Sequence, residues 1–216
     1  MASIVLIFIL FAVIHSITAS QKFKQACHER FGDIFMRVYY RALYSLISTV
    51  TFAVVLYLAS RVPDRVLWTA PFWLKGIMHG IQFGGLVFGA RAFEHMDASE
   101  FLGLKQAGRY FSRHEVSGNS EGLTEGELIT TGVYGVVRHP LYLAGLVIVV
   151  FNPILTMNGI TFTSLAVCYF LFGVFIEERR FLKIFGQQYR DYMKKVPRLI
   201  PRMSFFRRPG SSRDHR

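Results

Sequence analysis

The sequence predicts an all-α integral membrane protein with five transmembrane helices. The last two form a tight hairpin, and a C-terminal amphipathic interfacial helix follows them. Three observations predict this. Only 18% of the 216 residues are charged, against about 25% in soluble domains. Several stretches carry no charge at all, above all the 36 residues from Leu141 to Ile176. Basic residues gather in alternate connections between these stretches, as they do at one face of a bilayer.

Each element follows from its own stretch. Met1 to Gln21 contains no charged side chain; it lacks the basic start of a signal peptide and is long for one. It therefore reads as a retained span, Ser3 to Ala19, that includes His15. Residues 20–41 alternate basic and aromatic side chains, the pattern of an interfacial segment. Ala42 to Ser60 makes the second span. Trp68 to Ala90, interrupted only by Lys75, makes the third. Its Gly80-x-x-x-Gly84 and Gly85-x-x-x-Gly89 spacings let helices approach closely. As one helix the 36-residue run would measure about 54 Å, far beyond a hydrocarbon core of about 30 Å. Asn152-Pro153 and Asn158-Gly159 near its middle are turn pairs, so two short spans are expected. Beyond Glu178, the residues Phe181, Ile184, Phe185, Tyr189, Tyr192, Met193 and Val196 fall on one helical face. Pro197 and Pro201 end that pattern.

The chain thus reads as a single membrane domain, 1–216. It divides into an N-terminal three-helix scaffold (1–90), a region 126–201 that carries the chemistry, and a basic tail (202–216) expected to be disordered. Net charge is +11, and its placement gives it meaning. Lys22, Lys24, Arg30, Arg37 and Arg41 lie in one connection, and Arg91, Lys105, Arg109, Arg113 and Arg138 in another. The tail after Ile176 holds twelve more. The short connection between spans two and three has only Arg61 and Arg65. The N-terminus is expected outside and the tail in the cytoplasm, most simply across a bacterial inner membrane. The basic balance needs no nucleic-acid partner; the partner is the lipid bilayer. Cys27 and Cys168 make no zinc motif, and no metal site is expected.

The chemistry is expected in the segment Gly132 to Tyr142. A residue before proline is pushed out of the α region, and proline suits the first helical turn. Span four therefore starts at Pro140, with free N–H groups that can meet an anion. His139 sits at that mouth, beside Tyr134, Arg138 and Tyr142. The hairpin returns Glu177 and Glu178 to the same face. Ionisable groups so placed are costly and usually functional, although ion pairs with Arg179 and Arg180 would also explain the carboxylates. A ligand with both a carboxylate and cationic groups suits the two clusters together, and S-adenosylmethionine is one. Tyrosine faces also attract such cations.

These residues carry a resemblance. Gly-Val-Tyr-x-x-x-Arg-His-Pro-x-Tyr, then Glu-Glu, then Phe185-Gly186-x-x-Tyr189-x-x-Tyr192 and Val196-Pro197, resembles the membrane methyltransferases, which include isoprenylcysteine carboxyl methyltransferases and phospholipid methyltransferases. His15-Ser16, Tyr40-Arg41-Ala42-Leu43-Tyr44-Ser45 and Phe101-Leu-Gly-Leu-Lys-Gln106 are similar to methanethiol S-methyltransferases and NnrU-like proteins. The resemblance implies a cofactor pocket for S-adenosylmethionine lined by Gly126, Glu127, Leu128, Ile129, Tyr134, His139, Pro140, Leu141 and Tyr142. Glu177 would bind the cofactor and Glu178 assist. His139, Arg138 and Tyr142 are the implied catalytic residues.

One position departs from the pattern. Isoprenylcysteine enzymes carry an arginine four residues before the glutamate that matches Glu177, and here that residue is Gly173. The acceptor is accordingly expected to be a small thiol such as methanethiol, with a phospholipid amine or a prenylcysteine carboxylate as alternatives. A reading of another class is a haem-binding isomerase-like protein, in which His15 would be the ligand. His15 bonding a neighbouring helix is the plainer expectation.

Overall fold

The computed structural model describes residues 1–94, 98–112 and 128–202. The chain is mostly helical. The first helix, α1 (Ala2–Ala19), gives way at Ser20 to α2 (Gln21–Ile34). The Ser20 hydroxyl accepts from Phe23 N at 3.3 Å, an N-cap for a donor that lacks an intrahelical partner. A short π-helical turn, Phe35–Tyr39, leads straight into α3 (Tyr40–Ser60). Strand β1 (Val66–Thr69) and α4 (Phe72–Ala92) follow, then the short helices α5 (Ala98–Leu102), α6 (Leu104–Phe111) and α7 (Val133–Val136). The C-terminal part comprises α8 (Pro140–Val150), β2 (Ile154–Thr156), α9 (Met157–Phe185) and α10 (Gln187–Lys195).

Helix α1, the helical stretch Gln21–Ser60 and α9 are long and apolar enough to cross a membrane. Their outer faces expose large apolar side chains, among them Leu6, Leu10, Leu46 and Phe172. A helix apolar around its whole circumference belongs in lipid or a large core. Helix α1 packs against α3 and α9, and α4 packs against α8. The α4–α8 contact explains one of the two glycine spacings. A Cβ built on Gly89 would stand 2.8 Å from the Ala144 Cβ, and one on Gly85 would stand 2.8 Å from a Val147 methyl. Gly80 and Gly84 meet nothing within 4 Å.

The structure corrects the sequence reading in four places. Trp68 does not begin the third span. It lies in β1, which pairs antiparallel with β2 in the register Trp68↔Leu155 and Thr69↔Ile154. The run Val-Leu-Trp-Thr suits a strand, and Pro71 delays the helix to Phe72. The chain remains mostly helical, as an all-α membrane protein requires, with one short two-stranded sheet added.

Second, the hairpin is unequal. Helix α8 has 11 residues and α9 has 29, about 16 Å and 43 Å of rise. Third, Asn158-Gly159 is not a turn but the start of α9, capped by Thr156, whose hydroxyl accepts from Gly159 N at 2.9 Å. Asn158 Nδ2 donates to Pro63 O at 3.0 Å, and Asp64 Oδ1 accepts from Asn158 N at 2.9 Å. The α8–α9 connection is thereby tied to the α3–α4 connection. Nothing breaks the helix after that, so Glu177 and Glu178 lie inside α9 rather than at its end.

Fourth, much of the apolar face of the C-terminal amphipathic helix is buried in protein. Gly186 has φ of +53°, a conformation that favours glycine, and it turns α10 back on α9. Tyr189, Tyr192 and Val196 then pack on Leu128, Phe181, Leu182, Phe185 and Met193. The periodicity is as read; much of that face meets protein, while Ile184 stays exposed. The expected disordered tail lies outside the described residues beyond Arg202.

Candidate active site

The His-Pro corner is built by backbone conformation. Val137 is extended (φ −141°, ψ 151°), and His139 caps α8 with φ −125° and ψ 68° while Pro140 takes the first helical position. This keeps residues 137–139 out of the helix and free to pair. Arg138 N donates to Pro197 O at 2.9 Å, and His139 N donates to Arg198 O at 3.3 Å. The chain after α10 thus runs alongside the corner like a short strand.

Glu177 and Glu178 reach the corner from α9. Neighbouring helical residues point about 100° apart, so the two carboxylates approach the imidazole from different sides. His139 Nδ1 lies 3.3 Å from Glu177 Oε2, and Nε2 lies 3.4 Å from Glu178 Oε1. Burial lowers the His139 pKa, but its hydrogen bonds to Glu177 and Glu178, and their charges, outweigh that and raise it above the ordinary 6.5. An imidazolium donates through both nitrogens, which this geometry requires.

The two carboxylates differ in what remains open to them. Glu178 is buried, its side chain 4% exposed against 28% for Glu177. Arg138 Nε donates to Glu178 Oε1 at 2.9 Å, and Arg198 Nη2 lies 2.6 Å from Oε2. Arg138 is also buried, and its Nη1 donates to the carbonyls of Val196 and Met193. Arg138 and Glu178, expected at the catalytic and cofactor positions, are therefore turned on each other and on the C-terminal segment. Glu177 is the carboxylate with an accessible edge.

Two tyrosines complete the wall. Burial, and then the charge of Glu177, push the Tyr134 pKa up to about 12, so its hydroxyl stays protonated and can donate. The Tyr134 carbonyl accepts from the Tyr192 hydroxyl at 2.6 Å. Tyr142 meets the His139 ring edge-to-face at 5.6 Å and the Phe170 ring at 5.8 Å, and its hydroxyl feels the charge of Glu177. A Cβ built on Gly173 would stand 3.2 Å from both Cε1 and Oη of Tyr142. The glycine leaves room for that ring.

Of the other expected residues, Pro140 is buried, and Leu141 and Ile129 are half-buried. Leu128 packs into the α9–α10 cluster. Gly126 and Glu127 lie outside the described residues. Arg198 and Tyr192 went unassigned from sequence. Val196-Pro197 was the available signal for Arg198, since a proline that ends a helix beside the motif predicts a strand-like return. A cleft of about 310 Å³ is lined by Arg91, Glu94, Gly132, Val133 and Val136. Among the described residues, no group of His, Cys, Asp or Glu could hold a metal ion.

His15 lies apart from the corner. Its Nδ1 is 3.0 Å from Ser48 Oγ and its Nε2 is 3.0 Å from Tyr44 Oη. Both ring nitrogens are engaged, so iron ligation would require breaking one of these bonds.

Known proteins resemble this chain along most of its length. The family described as NnrU protein matches residues 3–202. The chain is 31% identical to methanethiol S-methyltransferase of Pseudomonas deceptionensis, over 96% of this chain and 74% of that protein. It is 28% identical to methanethiol S-methyltransferase 2 of Bradyrhizobium diazoefficiens, over 96% of this chain and 75% of the other. Protein-S-isoprenylcysteine O-methyltransferase of Tribolium castaneum is 36% identical, over 34% of this chain and 27% of its own. No solved structure matches. The chain belongs to the NnrU family and is related along almost its whole length to methanethiol S-methyltransferases.

Proposed function

We propose that this protein is an integral membrane methyltransferase that moves the methyl group of S-adenosylmethionine to a small thiol such as methanethiol, giving a sulfide. The observation that carries this is Glu177. It is a partly accessible carboxylate on a membrane helix, held by His139 at the mouth of α8 with Tyr142 nearby. The relatives named methanethiol S-methyltransferase supply the acceptor.

The residues present fit the donor. Its α-ammonium suits the open edge of Glu177. Its carboxylate suits the first N–H groups of α8, its sulfonium suits the faces of Tyr134 and Tyr142, and His139, bonded to both glutamates, holds Glu177 in place. When bound, it supplies a methyl carbon activated by positive charge. The chain's own residues bind, align and exclude water, and alignment lowers such a barrier by about 7–11 kcal/mol at best. In this reading Arg138, Arg198 and Glu178 are positioning residues that hold the corner, and Leu128 and Ile129 back it. The reading keeps five membrane helices, α4 crossing beside the three long ones and the 11-residue α8 reaching only part of the way, with residues 1–90 as scaffold and 126–201 as cofactor region. It places the site on the cytoplasmic face.

The acceptor class has a physical argument. In place of a substrate-reading arginine, residue 173 is glycine and the space is filled by Tyr142. That favours a neutral, small acceptor over a prenylcysteine carboxylate. The test is purified protein with labelled S-adenosylmethionine and methanethiol, a phospholipid amine or a prenylcysteine. Volatile labelled dimethyl sulfide is the expected product. Label recovered only in lipid, or only as a base-labile ester, would replace the thiol by that acceptor.

A further inference from the structure

The apolar helices α1, α3 and α9 meet around a polar knot that the donor site does not use. On α1, His15 bonds Ser48 and Tyr44 of α3 at 3.0 Å each, and Ser16 Oγ lies 3.1 Å from Tyr169 Oη on α9. Aromatic rings close around it. Phe11 stacks on His15 with centroids 5.4 Å apart, and Tyr169 stands edge-on at 6.3 Å. Ionisable groups at such a depth are costly to bury and mark functional sites by default.

The knot neighbours the donor site through α9: Tyr142 meets the Phe170 ring at 5.8 Å, and Phe170 adjoins Tyr169. Tyr142 lies within electrostatic reach of Glu177, Tyr169 and Tyr44. Tyr169 precedes Glu177 by two turns of α9, about 12 Å of rise. Ser16 is exposed and Tyr44 and Tyr169 are half-buried, so a small molecule can reach the hydroxyls.

We infer that the cluster of His15, Ser16, Tyr44, Ser48 and Tyr169 is the acceptor site, taking a small neutral thiol between Tyr142 and Tyr44, with His15 receiving the thiol proton through Tyr44. This rests on the methyl-transfer reading above. A thiol reacts as its thiolate, so the enzyme needs a proton acceptor; at the corner His139 already donates to two carboxylates, and the open edge of Glu177 is taken by the donor's ammonium. His15 has two hydroxyl partners, and a hydroxyl can donate or accept. The ring therefore keeps both bonds as imidazole and as imidazolium.

In the step, the S–H bond breaks as the proton passes to Tyr44 Oη, and the Tyr44 proton passes to His15 Nε2. The thiolate sulfur bonds the methyl carbon as the sulfonium C–S bond breaks, leaving two neutral sulfides. The imidazolium then gives its proton to water. The titratable groups facing His15 are Tyr44 on α3 and Tyr169 on α9, and Arg41 and Arg180 approach Tyr44.

His15→Gln separates this role from a purely structural one, because the amide can still bond Ser48 and Tyr44 but cannot take a proton. With full-length protein in nanodiscs, His15→Gln is expected to keep wild-type thermal stability. Its S-adenosylmethionine affinity and its binding of methanethiol to donor-free protein, followed by ligand-observed NMR, are also expected to be unchanged. Its kcat/KM at pH 7 falls about 100-fold, and the deficit closes as pH rises and the acceptor arrives as thiolate. Tyr44→Phe is expected to share that pH-dependent loss and to weaken donor-free thiol binding; it carries the test should His15→Gln not fold. Wild-type rates and pH profile in either folded variant would overturn the inference, as would thiol binding to Tyr44→Phe as tight as wild type. If wild-type protein forms no sulfide at all, the methyl-transfer reading fails instead, and donor-free thiol binding still reports on the cluster.

Discussion

Arg198 closes on Glu178 at 2.6 Å from beyond the end of α10, so the carboxylate holds both the His-Pro corner and the chain that returns past it. Arg138 takes the other oxygen and two C-terminal carbonyls. Removing one partner of such a buried pair leaves an uncompensated charge, which costs on the order of 3–5 kcal/mol. Glu178→Gln and Arg138→Met are therefore expected to lose stability on that scale, read as a lower Tm in detergent. Arg198 is half exposed, and Arg198→Ala should cost about 1 kcal/mol. Full stability of Glu178→Gln with loss of donor binding alone would make Glu178 a ligand rather than a clasp.

Glu177 is expected to behave in the opposite way. Its replacement by glutamine removes a charged hydrogen-bond acceptor from the open edge of the site, worth about 1.5–3 kcal/mol. Titration of Glu177→Gln with S-adenosylmethionine should show Kd raised about 10- to 100-fold, with Tm little changed. An unchanged Kd would remove Glu177 from the binding site.

Acidity offers a separate check. The folded His139 pKa is raised above 6.5 by the two carboxylates. Its contribution to stability is therefore complete below the unfolded value and is lost as pH rises through the folded one. Wild-type Tm should decline as pH climbs through that window above 6.5, and His139→Gln should flatten this part of the profile. A wild-type Tm independent of pH across neutral and mildly alkaline conditions would contradict the raised value.

The glycines of α4 separate by face. Gly89→Val places methyls into Ala144 and should cost about 1–3 kcal/mol by overpacking. Gly84→Ala meets open space and should be neutral or slightly stabilising, since alanine favours a helix. Equal losses at the two positions would mean that α4 packs elsewhere.

Local signals carried much of this protein. Uncharged runs locate α1, α3 and α9. The pre-proline residue and Pro140 mark where α8 begins. Those features depend on side-chain transfer energy and on φ limits of single residues, which need no partner. The strand at Trp68 was not legible, because four residues become a strand only when Ile154–Thr156 lies beside them. Nor did periodicity say whether Tyr189 and Tyr192 face lipid or protein, since both solvents are apolar.

By itself the sequence determined that a histidine–proline corner and an acidic doublet stand at the two ends of one apolar hairpin. Which carboxylate stays open, and which is consumed by Arg138 and Arg198, only the tertiary structure decided. The two glutamates are chemically identical and adjacent. They differ in the neighbours that a rotation of about 100° around α9 gives each of them.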